Sequence, residues 1–132
     1  MALHQVDGQT HAAVRWAGMH ELSLANRLVE VAEETAREAG ARRVTAVSLK
    51  VGALSGVSVD ALRFAFDIAT ADTLLAGSRL KTRAVPVTVY CPRCKREAEL
   101  ASVQWFRCPA CDTPTGDVRS GRELEIETIE VE

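Results

Sequence analysis

Residues 91–111 read CPRCKREAELASVQWFRCPAC, and this stretch decides how the rest of the chain must be arranged. It holds every cysteine of the protein as two Cys-x-x-Cys pairs, Cys91 with Cys94 and Cys108 with Cys111, separated by thirteen residues. Each pair turns the backbone so that two sulfurs converge on one ion, and thirteen residues suffice for a hairpin that carries the second pair opposite the first. The expected product is a closed, tetrahedral four-thiolate zinc site with Zn–S of ~2.3 Å. Arg93, Lys95, Arg96 and Arg107 flank the ligands, where cations and backbone N–H groups offset the negative charge of a zinc tetrathiolate. With no open coordination position, such a site is structural, not catalytic. A single Cys-x-x-Cys would equally suit thiol–disulfide exchange, but two at ribbon spacing favour metal.

Working outward, the cysteine stretch reads as an insertion. Leu80–Val85 is predicted to be a strand, and Pro86 marks its exit through Val87–Tyr90 into the first knuckle. Downstream, Thr113–Gly121 is rich in turn residues. Leu124 and Ile126 then alternate with Glu123, Glu125 and Glu127 before the phase slips to Ile129 and Val131, which predicts a bulge or strand end near Thr128. The glutamates are the wet face of that strand. Upstream, Leu24, Leu28, Val31 and Thr35 recur at helical spacing beside Ala25, Val29, Ala32 and Ala36, so a helix begins close to Met19 and stops at Gly40. Val44–Val51 alternates as a half-buried strand. A second helix starts at Ser58, whose hydroxyl can cap it, with Asp60 in its first turn. Leu62, Ala65, Phe66 and Ala69 form its apolar face. Phe64 and Ile68 add apolar surface beyond that face, which predicts either deep packing or a protein contact.

The fold class implied is α+β: two helices packed on a three-stranded mixed sheet, with an inserted four-cysteine zinc-ribbon-like module. Residues 19–85 plus 118–132 form the α+β domain and residues 86–117 the zinc module. Residues 1–18 are polar and aperiodic, and are expected to be disordered or foreign to the working protein. The 132 residues suffice for one core without disulfides, and 47% hydrophobic and 26% charged residues are ordinary for a globular chain. A formal charge of −2 gives no reason to expect nucleic acid or a membrane as partner. Thiols suited to metal, and the lack of an apolar signal-peptide segment, suggest the cytoplasm.

A second constellation, Met19-His20-Glu21, stands at the head of the first helix. Alone, a histidine beside a glutamate there is usually an exposed or capping pair. Taken in order with the amphipathic helix, the strand running into Val51-Gly52, the SVDALRFAF helix at residues 58–66 and the double Cys-Pro-x-Cys insert, it resembles the HypA/HybF family of hydrogenase nickel-maturation proteins, from Met19 to Glu132. The resemblance implies a nickel metallochaperone that binds Ni(II) reversibly and delivers it to the large subunit of a [NiFe] hydrogenase, or into urease assembly, with a HypB-type GTPase as partner and no substrate turned over. It implies nickel donors centred on His20, with Met19 and Glu21 beside it and Asp60 as a weaker addition. Imidazole and deprotonated backbone nitrogens suit Ni(II).

The chain departs from the family pattern in carrying eighteen residues before Met19, so that the nitrogen of Met19 is an amide where family members have an amine. His4 and His11 in that extension are candidate replacement donors. The rival reading is a zinc-ribbon adaptor for nucleic acid or protein, with metal for folding only. A local charge of +2 over residues 91–111 is thin for tracking phosphates, and Trp105 and Phe106 read as the small core of the ribbon. The apolar second helix and the tethered insert would permit a homodimer or a domain swap.

Overall fold

The computed structural model describes residues 2–4 and 20–132. The chain runs β1 (Ala2–His4), α1 (Glu21–Glu38), β2 (Val44–Gly52), α2 (Val59–Ala69), β3 (Arg79–Val85), β4 (Thr88–Cys91), β5 (Arg96–Glu99), β6 (Val118–Ser120) and β7 (Leu124–Val131).

The first helix forms where the periodicity places it. Leu24, Leu28, Val31 and Thr35 are all buried, together with Ala25, Val29, Ala32 and Ala36. It ends because Gly40 adopts φ +69°, which lets the Ala41 N–H reach the Ala36 carbonyl at 2.8 Å and the Gly40 N–H reach Arg37 at 3.1 Å, the paired bonds of a Schellman stop. The second helix is capped as expected, with the Ser58 hydroxyl accepting from the Ala61 N–H at 3.3 Å. Thr70 closes its other end by donating to the Phe66 carbonyl.

The expected mixed sheet is present. β3 runs parallel to β2 after the α2 crossover, and β7 returns antiparallel on the other side of β2, giving the order β7-β2-β3. Ala2–His4 add a short antiparallel strand outside β7, so part of the extension joins the sheet. The phase slip in β7 is a bulge: Ser48 faces Thr128 and Leu49 faces Ile126, leaving Glu127 without an opposite number. Both helices cover one face of the sheet, where Phe66, Leu24, Leu28, Leu49, Leu62, Leu75, Ile126 and Ile129 are fully buried. On the other face the β7 glutamates are paired: Lys50 with Glu125 at 3.6 Å, Lys81 with Glu130 at 3.3 Å and Arg83 with Glu127 at 2.9 Å.

The inserted module is a second small lobe, a sheet in the order β5-β4-β6. Its apolar centre is Val87, Val89 and Leu100, against which Phe106 and Val118 pack. β6 pairs with β4, so the strand-forming part of the module extends through Ser120, past the boundary at residue 117 drawn from sequence. Leu54, from the loop after β2, also packs against this centre and ties the lobes together. The junction is tight. A Cβ at Gly52 would lie 2.2 Å from the Gly121 carbonyl oxygen, and Gly121 itself sits at φ +116° against Val87. The Gly52 N–H donates to Glu123 and the Leu54 N–H to Gly121, both at 2.6 Å.

Candidate metal centres

The four cysteines come from two turns that the module's strands hold face to face. Cys91 ends β4 and the β4–β5 hairpin places Cys94 in its turn, while the Arg107–Pro114 bridge closes the loop that carries Cys108 and Cys111. The four sulfurs lie within 4.8 Å of one another, with Cys91 and Cys111 3.5 Å apart and Cys94 and Cys108 3.9 Å apart. Four ligands at ~2.3 Å from one ion in a tetrahedron stand ~3.8 Å from each other, so the cluster is already sized for a thiolate-bound metal. None of the four is in a disulfide.

The knuckles share a backbone device. Lys95 and Asp112, each following the second cysteine of its pair, sit at φ +56° and +62°, and each sends its N–H back to the first cysteine's carbonyl at 2.8 Å. The Cys94 N–H points at the Cys91 sulfur at 3.3 Å, and the Thr113 hydroxyl lies 3.1 Å from the Cys111 sulfur. The Thr113 hydroxyl and backbone lower the Cys111 thiol to about 6, whereas Cys94, sharing hydrogen bonds with Cys111 and partly desolvated, is pushed up to about 12. Sequence reasoning missed Thr113 as a partner of the sulfurs; the available signal was a hydroxyl two residues past a ligand, close enough in sequence to reach its sulfur. Arg107 braces the second loop by donating to the Asp112 carbonyl at 3.2 Å. Trp105 corrects the sequence expectation. It is 62% exposed, with the Arg107 guanidinium stacked 5.3 Å from its ring, and only Phe106 of the pair packs into the lobe.

His20 stands just before α1, exposed, with extended backbone (φ −66°, ψ 151°). Its carbonyl accepts the first helical bond from the Leu24 N–H at 2.9 Å, but its side chain caps nothing, and among the described residues no hydrogen bond engages its imidazole. Glu21 is the first helical residue and is half-buried. Asp60 is exposed in the first turn of α2. These three do not form a group: among the described residues the cysteines are the one set of three or more His, Cys, Asp or Glu side chains whose ligand atoms converge. Met19 and His11 lie outside the described residues, and of His4 only the backbone pairing with Ile129 is described.

Comparison with known proteins covers nearly all of this architecture. The family model described as hydrogenase/urease nickel incorporation, metallochaperone, hypA matches residues 19–131. A hydrogenase maturation factor HypA from Chloroflexus aurantiacus is 51% identical over 112 residues, which are 85% of this chain and 98% of that protein. One from Roseiflexus sp. is 49% identical over 114 residues, covering 86% and 93% of the two chains. One from Klebsiella pneumoniae is 39% identical over 114 residues, covering 86% and 100%. The solution structure of the Ni metallochaperone HypA from Helicobacter pylori aligns with a TM-score of 0.59 at 21% identity, over 86% of this chain and 97% of that one. At that identity the structural likeness speaks for the fold.

Proposed function

This chain belongs to the HypA family of nickel metallochaperones for hydrogenase and urease, and from that premise we propose that it takes Ni(II) at the head of α1 and keeps zinc in the cysteine cluster. The observation that carries the nickel reading is the state of His20. An imidazole at a helix start that caps nothing and, among the described residues, engages no other side chain is free to donate to a metal, and its exposure lets cargo arrive and leave. Glu21 adjoins it as ligand or orienting partner, and Met19 and His20 contribute backbone nitrogen. Asp60, on the other helix, is at most an outer contact.

The cysteine cluster supports zinc on different grounds. Four sulfurs at tetrahedral separation, two of them buried, make a closed thiolate cage that suits Zn2+ and holds it without an open position. A bound zinc would supply folding energy to the small lobe and no chemistry. The two sites differ in the way a carrier requires, a few exposed nitrogen and oxygen donors for cargo and a buried cage for a resident ion. The protein therefore carries metal without turning over a substrate. It acts in the cytoplasm, with a HypB-type GTPase and a hydrogenase large subunit as partners. Self-association through α2 fits the exposure of Phe64 and Ile68, and neither nucleic acid nor membrane is required.

X-ray absorption on protein loaded with both metals tests the assignment. The zinc edge should report four sulfur neighbours and the nickel edge nitrogen and oxygen neighbours with the multiple-scattering pattern of imidazole. Sulfur around nickel would move the cargo to the cysteines.

A further inference from the structure

β3 is an edge strand. It lies outside β2, and among the described residues no strand pairs with its outer side. Such an edge is a row of N–H and C=O groups that a further strand can use, here from Thr82 onward because the Leu80 carbonyl already accepts from Arg63. Here α2 borders it, and the cleft between them, about 540 Å³ and open to solvent, is lined by Arg63, Asp67, Ser78, Arg79, Lys81 and Thr82 over a floor of Phe66 and Leu80. Three cations meet one carboxylate in a protein whose net charge is −2. Arg63 and Arg79 have no carboxylate partner among the described residues. Arg63 instead donates to the Leu80 carbonyl at 2.5 Å and the Thr82 hydroxyl at 3.1 Å, leaving other N–H groups free.

Two further observations fit an occupant. The Ser78 hydroxyl, on the wall of the cleft, is buried and makes no hydrogen bond, which costs stability unless a visiting group satisfies it. Alternation along β3 puts Arg79, Lys81 and Arg83 in one row, where a strand laid outside β3 would bring every second side chain alongside. Lys81 and Arg83 already share this row's charge with Glu130 and Glu127, so Arg79 is its free cation.

We propose that the outer edge of β3 docks an extended, acidic segment of a partner protein as an added strand. Main-chain bonds give it affinity, and a carboxylate set against Arg79, the cation of the row without a carboxylate among the described residues, gives it selectivity. A second copy of this chain does not fit through the same edge, because antiparallel pairing of β3 with itself would set cations beside cations. None of the residues lining the cleft is one assigned to either metal.

The probe is a short blocked peptide alternating glutamate with valine and threonine, titrated into the whole protein while backbone amide resonances are followed. Saturable binding is expected, with the largest shifts at Thr82–Ala84. Arg79→Glu, at an exposed position with no partner to lose, should weaken it about tenfold, roughly 1.4 kcal/mol. The same peptide with lysine for glutamate, and the glutamate peptide N-methylated at alternate amides, should both fail to bind. No binding by the glutamate peptide overturns the proposal. So does equal binding by the lysine peptide, which removes the charge argument, or by the N-methylated one, which removes strand addition.

Discussion

At the scale of single residues, the metal cluster rests on backbone conformations that its side chains do not favour. A non-glycine residue in the left-handed region costs about 1–2 kcal/mol, a cost that Lys95 bears to close its knuckle, whereas Asp112 is of a type that visits the region more readily. Lys95→Gly, which removes a side chain that makes no ion pair among the described residues, should therefore stabilise the small lobe by about 1 kcal/mol. Slower metal loss to a chelator would report it, and faster loss would show that the Lys95 charge outweighs backbone strain. Nickel has its own residue-scale test. An amide at Met19 must lose its proton to bind metal, whereas an α-amino group near pKa ~7.7–8.0 is a ready donor. A chain beginning at Met19 should accordingly bind Ni(II) more tightly than the full chain by an order of magnitude or more, about tenfold per 1.4 kcal/mol. Identical titrations would exclude a terminal-amine donor, and tighter binding by the full chain, lost on changing His4 or His11, would bring the extension into the site.

Among the elements, what was legible in the sequence was whatever repeats. The 3.6-residue spacing from Leu24 to Thr35 predicts α1 and its buried face, the alternation of Val44–Val51 predicts β2, and the broken alternation after Ile126 predicts a bulge or strand end near Thr128, where the structure has a bulge one residue earlier, at Glu127. What did not repeat was hidden. The Trp105-Phe106 pair reads as core from its apolarity, yet only one ring can fit a lobe whose buried centre is three residues, so Trp105 is turned out onto Arg107. The junction was also silent, since a glycine after a strand reads simply as a stop. The structure shows Gly52 as a contact surface, with the Gly121 carbonyl where a Cβ would be. Gly52→Ala should cost about 3 kcal/mol through forced displacement of the β7 entry, measured by urea unfolding. Gly56→Ala is the control for a nearby glycine with open space around it, where only the positive φ of +78° is strained and the loss should be about 1 kcal/mol. Equal costs at the two positions would show that the junction is not tightly packed.

For the whole molecule, two lobes of unequal self-sufficiency follow from where apolar surface is buried. The α+β lobe has a core of nineteen buried residues, whereas the module has three apolar ones, so metal bound at its cysteines is expected to supply much of its folding energy. Stripping the metal, or Cys108→Ser, should abolish amide protection in β4, β5 and β6 while β2 and β7 keep theirs. Uniform loss of protection would mean that Leu54 and the glycine junction make the two lobes one cooperative unit. On the proposed assignment that separation also sets the logic of the carrier, with the resident ion at the cysteines of one lobe and the cargo at the head of α1 in the other. No helix in the described residues is long and apolar enough to cross a membrane. Cargo nickel is, on the proposed assignment, held at His20 and not by the cysteines. Calorimetric titration of Ni(II) into the zinc-loaded protein and into zinc-loaded His20→Ala tests it most directly. Tight nickel binding should disappear in the variant while zinc content and thermal unfolding stay unchanged; undiminished nickel affinity in His20→Ala would place the cargo elsewhere.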